Sequence, residues 1–465
     1  MNQKSNMNAG EESDDRVVPA KCPNKDGSFT LAEGAEGRRS TKENSGQTTA
    51  SQTQSWGNAL SGLHRVREAA KKDKRLQFTA LLHHVSVPLL LDSFYALKRE
   101  AAPGVDGLTW QEYETDLDKR LEDLHSRVHG GTYRALPSKR AYILKQDGRQ
   151  RPLGIAALED KIVQHAVGTV LNQIYEEDFL GFSYGFRPRR GTHDALDALW
   201  VGIMRKKVNW VLDADIRDCF GSFSHGWMVK FLQHRIGDSP LLCNVYLHYV
   251  FEPPGRRPWL GASASAAPKD RYADDMVLGF QYRAEAERFL QDWRERLRKF
   301  DLELHPDKTR LIEFGRFAAV NRKQRGEGKP ETFNFLGFTH ICGRTRKNGK
   351  FLVLRKSIRK RLLAKLKRVR DDLRIRMHQP LAVVGKWLRS VVQGYFNYHA
   401  VPGNIASLRN FRFEVSTLWW RVIRRRSQRS RIQWELVSQL VEEWLPLPKI
   451  LHPYPFLRFD AKHLR

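Results

Sequence analysis

Two acidic clusters stand inside apolar, strand-like stretches of this chain and constrain its fold more than any other feature. Asp274 and Asp275 precede an apolar run that ends at Phe280. Asp213 and Asp215 are two residues apart, and the period of a strand puts both side chains on one face. Because an unpaired buried carboxylate is costly, each cluster is expected at a strand end or turn. There it is either solvated or holds a divalent cation.

Around these clusters, short strand-like runs alternate with amphipathic helices from Tyr142 to about Phe351. Such an alternation predicts one mixed α+β domain. Within it, the stretch Arg271–Phe280 is predicted to be a β-hairpin, and Phe333–Ile341 a single strand.

The composition changes at both ends of this domain. Residues 1–60 are dominated by Gly, Ser, Thr, Asn and Gln, which predicts a disordered N-terminal tail. Residues 61–354 form the globular part. Residues 355–465 are mostly helical and intensely basic, and the Pro-rich last twenty residues are expected to be extended.

The chain of 465 residues carries 80 Lys plus Arg against 52 Asp plus Glu, a formal net charge of +28. A small soluble domain usually carries a net charge of about 2–8 in magnitude, so a nucleic-acid partner is favoured over a merely basic surface. Residues 355–376 hold 11 basic residues and residues 421–431 hold six arginines. The predicted phosphate-binding residues are Arg359, Lys360, Arg361, Lys365, Lys367, Arg368, Arg421, Arg424, Arg425, Arg426, Arg429 and Arg431.

Several classes of protein are excluded. No run of about 18 apolar residues occurs, so a membrane span is not expected, and the first residues lack the apolar core of a secretory signal. The four cysteines form no Cys-x-x-Cys pair, which argues against a zinc knuckle or a disulfide framework. A cytoplasmic location of bacterial type is expected, with an organellar matrix as the alternative.

The order of eight sequence blocks resembles the reverse transcriptases of mobile group II introns. These blocks read APGVDGLTW, RPLGIAALEDKIVQHAV, GFSYGFRPRRGTHDAL, DADIRDCF, RYADDMVLGF, HPDKTRLIEFGR, FNFLGF and WLRSVVQGYFNYH. The resemblance implies a right-hand polymerase: fingers and palm with a mixed antiparallel sheet over residues 61–354, then an all-α thumb and maturase domain over 355–465. It implies RNA-directed DNA synthesis with a two-metal Mg²⁺ site. The implied partners are group II intron RNA, an RNA template, a DNA primer, deoxynucleoside triphosphates and target DNA.

The resemblance also assigns roles to individual residues. The metal-binding, catalytic carboxylates are Asp215, Asp274 and Asp275, with the Ile216 carbonyl as a backbone ligand. The nucleotide-binding residues are Lys145, Arg151, Phe220 and Lys308. The family match does not include Asp213.

One departure from the family leaves two functions open. The family carries a Pro-Gln-Gly loop that packs on the template, whereas here Asp238 runs directly into Ser239, and the stretch after Glu252, PPGRRPWLGASASAAPKD, looks unlike the family. The intact carboxylates favour a working reverse transcriptase. The missing loop favours an RNA-binding maturase that assists splicing, with the palm as a scaffold, or a decayed element with little polymerase activity.

Overall fold

The computed structural model describes residues 50–144, 150–219, 222–236, 250, 269–272, 275–426 and 433–462. Within these ranges the helices are α1 (Ala50–Lys72), α2 (Val87–Tyr95), α3 (Trp110–Glu114), α4 (Leu117–His129), α5 (Leu158–Asp178), α6 (Thr192–Arg205), α7 (His225–Gln233), α8 (Arg283–Arg298), α9 (Ala318–Gln324), α10 (Arg359–Ile375), α11 (Leu381–His399), α12 (Ile405–Arg424), α13 (Trp434–Trp444) and α14 (Pro455–Lys462). The strands are β1 (Lys139–Leu144), β2 (Gln150–Ile155), β3 (Trp210–Ala214), β4 (Lys269–Tyr272), β5 (Asp275–Phe280), β6 (Arg310–Glu313), β7 (Phe333–Phe335), β8 (Phe338–Arg344) and β9 (Phe351–Ser357).

The first helices, α1 to α5, share one hydrophobic core. Phe94 stacks on Trp110 with ring centroids 4.5 Å apart, and Leu90 and Ile162 are completely buried beside them. Helix α1 begins at Ala50, so the last part of the predicted 1–60 tail is helical. Residues 1–49 of that predicted tail lie outside the described residues.

The middle of the chain is built on a four-stranded antiparallel sheet in the order β4-β5-β3-β6. The predicted β4–β5 hairpin is confirmed, with Tyr272 opposite Asp275. Helix α8 covers one face of the sheet because Phe289, Trp293 and Leu297 recur at helical spacing and are all buried. The mixed α+β class is therefore confirmed.

A second, three-stranded sheet corrects one of the sequence predictions. The stretch Phe333–Ile341 is not a single strand, because the chain reverses at Leu336 and Gly337 to pair β7 with β8. Both turn residues have positive φ, 44° and 82°, a conformation that glycine adopts without strain. A Cβ on Gly337 would also lie 3.2 Å from the Tyr398 ring, so the turn packs closely on α11.

The C-terminal helices α10 to α13 enclose a core of their own. On α10 the apolar side chains of Leu362, Leu366, Val369 and Leu373 form one buried stripe, which leaves the basic residues on the remaining faces. The predicted extended end is wrong over its last part, since α14 is a helix that begins at Pro455. Proline suits this first helical position because its missing N–H would have no partner there.

The C-terminal helix α14 packs back on α6. It thereby joins the two halves of the molecule, the residues before and after the predicted boundary between 354 and 355. Arg205 pairs with both carboxylate oxygens of Asp460, at 2.8 and 2.7 Å. Underneath, the fully buried Asp197 accepts from Arg355 at 3.0 Å and also from Arg458. Arg355 lies in β9, so this strand crosses the predicted boundary between residues 354 and 355. None of the helices in the described part of the chain is long and apolar enough to span a bilayer.

Candidate active site

Three strand ends bring a row of charged side chains to one edge of the central sheet. Ala214 pairs with Met276, and the next position of this antiparallel register sets Asp215 opposite Asp275. Directly opposed residues in such a pair have Cα atoms roughly 4.5–5.5 Å apart. On the other side of β3 the register is set by Asp213 opposite Arg310. Beyond this pair the backbone partner changes, since Ile216 bridges Leu304 and the chain turns between His305 and Thr309. Lys308 follows this turn and contacts the Asp215 carboxylate with its side chain, so the ends of three strands contribute to one row.

The side chains of this row differ in exposure. Asp275 is exposed, whereas the side chain of Asp215 is only 16% exposed. The ammonium group of Lys308 forms an ion pair with the Asp215 carboxylate, and the Lys308 side chain is 55% exposed. The row therefore presents the exposed carboxylate of Asp275 beside the carboxylate of Asp215, whose charge is neutralised by the largely exposed Lys308.

The backbone of Ile216 is also oriented toward this row. The Asp215 carbonyl accepts from the His305 amide at 2.8 Å, and the Arg217 amide donates to the Glu303 carbonyl at 2.8 Å. Because successive residues of an extended strand point their backbone groups to opposite sides, the Ile216 carbonyl points away from residues 303–305. It faces the β5 side, where Asp275 begins its strand.

The remaining acidic residue of the β3 segment, Asp213, has a different partner. Its carboxylate accepts from the Arg310 guanidinium at 3.2 Å across the β3–β6 pair. Burial raises the pKa of Asp213 to about 6, against the opposing effect of Arg310. Asp213 is thus held in a cross-strand ion pair. Sequence reasoning missed Arg310, whose partner becomes evident only from the strand register.

Several predicted site residues do not enter this geometry. Arg151 lies in β2 opposite Ile143, but its side chain is outside the described part of the chain. Outside the described residues altogether are Lys145, Phe220, Asp274, Arg429 and Arg431. Among the residues that are described, no three His, Cys, Asp or Glu side chains gather into a metal-binding group.

The predicted phosphate-binding residues lie mainly on exposed helix faces. On α10, five of the six are exposed and Arg368 is half-buried. At the end of α12, Arg421, Arg424 and Arg425 are exposed, and Arg424 stacks over the Trp420 ring at 5.2 Å. Arg426 differs from them because its guanidinium donates to the Gln379 carbonyl at 2.6 Å. It therefore joins α12 to the α10–α11 connection.

Comparison with known proteins shows that the central segment of the chain is similar to reverse transcriptases. The family described as reverse transcriptase (RNA-dependent DNA polymerase) matches residues 235–340, which include Asp275 and Lys308. Protein YkfC of Escherichia coli is 33% identical over 177 residues, 37% of this chain and 46% of that protein. The group II intron-encoded protein LtrA of Lactococcus lactis is 28% identical over 191 residues, 40% of this chain and 31% of that protein. An uncharacterized 91 kDa protein in the cob intron of Schizosaccharomyces pombe is 31% identical over 170 residues, 29% of this chain and 20% of that protein. The matches thus cover less than half the length of each of these relatives.

Proposed function

We propose that this chain, which carries a reverse transcriptase domain homologous to group II intron-encoded proteins, copies RNA into DNA from a primer 3′-hydroxyl. The single observation that carries the proposal is the row formed by Asp275, Asp215 and Lys308 at the edge of the central sheet. Carboxylates from two strands beside a cation suit phosphoryl transfer, in which most of the catalysis is charge stabilisation and positioning. The deciding assay is primer extension on an RNA template in the presence of Mg²⁺, with a DNA template of the same sequence as comparison.

The donor set fits a divalent metal ion. Asp215 and Asp275 supply hard oxygen ligands, the orientation of the Ile216 carbonyl supports its role as a third, and Asp274 adds a fourth by sequence. When bound, a pair of Mg²⁺ ions would lower the pKa of the primer hydroxyl and neutralise charge on the leaving pyrophosphate. The two carboxylates would hold the cations at the strand ends, where the β3–β5 pairing fixes the position of one carboxylate relative to the other.

The other nucleotide contacts follow from the family resemblance. Lys145 follows β1 in the sequence and Arg151 lies in β2, and both would bind the triphosphate oxygens. Phe220 would crowd a ribose 2′-hydroxyl and so favour deoxynucleotides. Lys308 would leave Asp215 when metal binds and would then lie beside the incoming triphosphate.

A second function, binding of intron RNA to assist splicing, is supported by the exposed basic faces of α10 and α12. These helices have a hydrophobic core separate from that of the central sheet. RNA binding by them does not require a complete palm. A chain that lacks the Pro-Gln-Gly loop would therefore keep this function even if extension were slow. The thumb and maturase assignment of residues 355–465 rests on this argument and on the family resemblance.

Replacing Arg421, Arg424 and Arg425 together by Ala should weaken RNA binding and reduce its salt dependence. Each lost phosphate contact lowers the slope of log K against log[salt] by roughly 0.7 to 0.9, so a reduction of about 2 is expected. The measurement is filter binding of structured RNA between low and moderate salt. Arg426 is left in place because its loss would also break the hydrogen bond to Gln379.

The matched control for these arginines is replacement of Arg288, Arg294 and Arg298 on α8, which are equally exposed and change the charge by the same amount. Their helix also carries the exposed Glu287 and Glu295. Equal loss of affinity in both variants would indicate a general charge effect and contradict a binding face on α12.

Replacing Lys308 by Gln should strengthen divalent metal binding to the protein alone while slowing primer extension. The ammonium group neutralises Asp215, and a charge pair at this distance is worth on the order of 1–4 kcal/mol in an aqueous to partly buried setting. Because Lys308 is more than half exposed, we take the lower end and expect about 5- to 10-fold tighter Mn²⁺ binding, measured by electron paramagnetic resonance. Lys308→Arg keeps the cation and should behave as wild type in the binding assay. Unchanged Mn²⁺ affinity in Lys308→Gln would contradict the pairing of Lys308 with a metal ligand.

A further inference from the structure

We propose that Phe186, at the tip of the loop between α5 and α6, is a stacking platform for the first unpaired base of the RNA template. Its side chain is 67% exposed. Its φ of 56° lies in the left-handed region, which residues with a Cβ adopt only at a cost in strain. The inference rests on the proposed reverse transcriptase function, because it concerns the strand that this site would copy.

The loop that carries Phe186 is held rigidly from beneath. The neighbouring Arg187 is buried, and its guanidinium binds both carboxylate oxygens of Glu176 at 2.9 and 3.0 Å. The same guanidinium also donates to the carbonyls of Leu180 and Ser183 at 2.8 and 3.0 Å. Such a bidentate, buried arginine fixes the loop geometry strongly. The strained backbone of Phe186 is consequently imposed by its surroundings, which is the usual circumstance of a residue kept for binding.

The loop pairs with β4, an outer strand of the sheet that carries the row of charged side chains. Ser183 pairs in parallel with Arg271 of β4, and the Tyr184 amide donates to the Arg271 carbonyl at 2.9 Å. Because this pairing is parallel, the chain at Ser183 runs in the same direction as β4, which ends at Tyr272 opposite Asp275. Phe186 follows three residues later, at most about 10 Å of extended chain. Phe186 therefore lies within about 10 Å of the residue that pairs with β4, the strand next to β5 and its Asp275.

The chemistry around Phe186 suits a nucleic acid rather than an apolar protein partner. Arg189, three residues further on, is exposed, also has a positive φ of 60°, and is in no ion pair within the described part of the chain. An aromatic face beside an exposed guanidinium matches a nucleobase next to its phosphate. Stacking of this kind accepts any base because each has a planar face. A single exposed ring cannot bury enough area for a protein interface.

The test uses the full-length protein and a DNA primer paired to an RNA template, with 2-aminopurine as the first unpaired template base. Without deoxynucleotides, wild type should quench the 2-aminopurine fluorescence on binding. Phe186→Ala and Phe186→Gly should lose the quenching and raise the Kd about 5- to 150-fold. Phe186→Tyr and Phe186→Trp should stay within about threefold of wild type, since both keep an aromatic face. Arg189→Ala should reduce the salt slope of binding by about one phosphate contact.

The variants also separate a binding role from a structural one. Glycine relieves the positive φ, so Phe186→Gly should have a melting temperature equal to or above that of wild type while binding more weakly. Tyr282→Ala is the control, because Tyr282 is 56% exposed just past the opposite end of β5. It should leave quenching and Kd unchanged.

Each outcome decides between the two proposals. Unchanged quenching and Kd in Phe186→Ala and Phe186→Gly, no quenching by wild type, or a lower melting temperature in Phe186→Gly would overturn the stacking role. If wild type quenches but does not extend the primer, the stacking site stands and the polymerase proposal fails. If wild type and Phe186→Gly extend and bind equally well, the polymerase proposal stands and the stacking site fails.

Discussion

Asp275→Ala should abolish primer extension on an RNA template while leaving RNA binding nearly unchanged. Asp275 is the exposed member of the carboxylate row and, opposite Asp215, completes the ligands that the described strands contribute. A metal ion bound there would supply several kcal/mol of charge stabilisation in the transition state. Each 1.4 kcal/mol is about tenfold in rate, so we expect a loss of about 1,000-fold or more. Asp215→Ala should behave in the same way. Extension is followed by single-turnover kinetics, and RNA affinity by filter binding.

The control for this loss is Asp218→Asn, which removes one negative charge only three residues from Asp215. Asp218 is exposed and has a positive φ of 42°, a conformation that Asn tolerates well. Its extension rate should stay within a few-fold of wild type. Extension by Asp275→Ala at the wild-type rate would refute the metal assignment. Equal losses in Asp275→Ala and Asp218→Asn would show that the protein responds only to overall charge.

Asp197→Asn should destabilise the protein strongly and lower its melting temperature. Asp197 and Arg355 are each 1% exposed, and Arg458 adds a second guanidinium to the same carboxylate. Removal of this anion leaves two arginines without its compensating charge, and breaking a buried pair in this way costs about 3–5 kcal/mol. Since Asp197, Arg355 and Arg458 lie on α6, β9 and α14, the contact between the two halves of the molecule should open first. Thermal unfolding and hydrogen exchange of the α6 amides measure both effects.

The matched control is Asp460→Asn, which removes an ion pair from the same α6–α14 contact at its exposed rim. The side chains of Arg205 and Asp460 are about half exposed, and such pairs contribute about 0–1 kcal/mol. Asp460→Asn should therefore unfold close to the wild-type temperature. Indistinguishable unfolding of the two variants would mean that the Asp197 cluster does not join the halves.

Local patterns in the sequence are enough to identify most elements of the central domain. The β4–β5 hairpin and the apolar stripe of α8 depend on residues a few positions apart, so their periodicity is readable directly. Local patterns do not resolve the Phe333–Ile341 stretch because both strands are short and apolar, and the reversal depends on two turn residues with positive φ, Leu336 and Gly337. Helix α14 is not predicted from local patterns because Pro455 and the prolines that precede it suggest an extended chain. The stability of this helix depends on its packing against α6.

Residue types and their local spacing establish which groups are available for chemistry: two acidic clusters at strand ends, a lysine after a short loop, and basic helices with one apolar stripe. Which of these groups meet depends on long-range contacts. Lys308 and Asp215 are 93 residues apart, and Asp197 and Arg458 are 261 apart. Contacts of this length depend on strand register and helix docking. A shift of one residue in register turns each side chain to the other face, and no local pattern specifies it. For the same reason Phe186 is an ordinary apolar residue in the sequence, and its exposure becomes evident only together with the buried Arg187 that holds its loop in place.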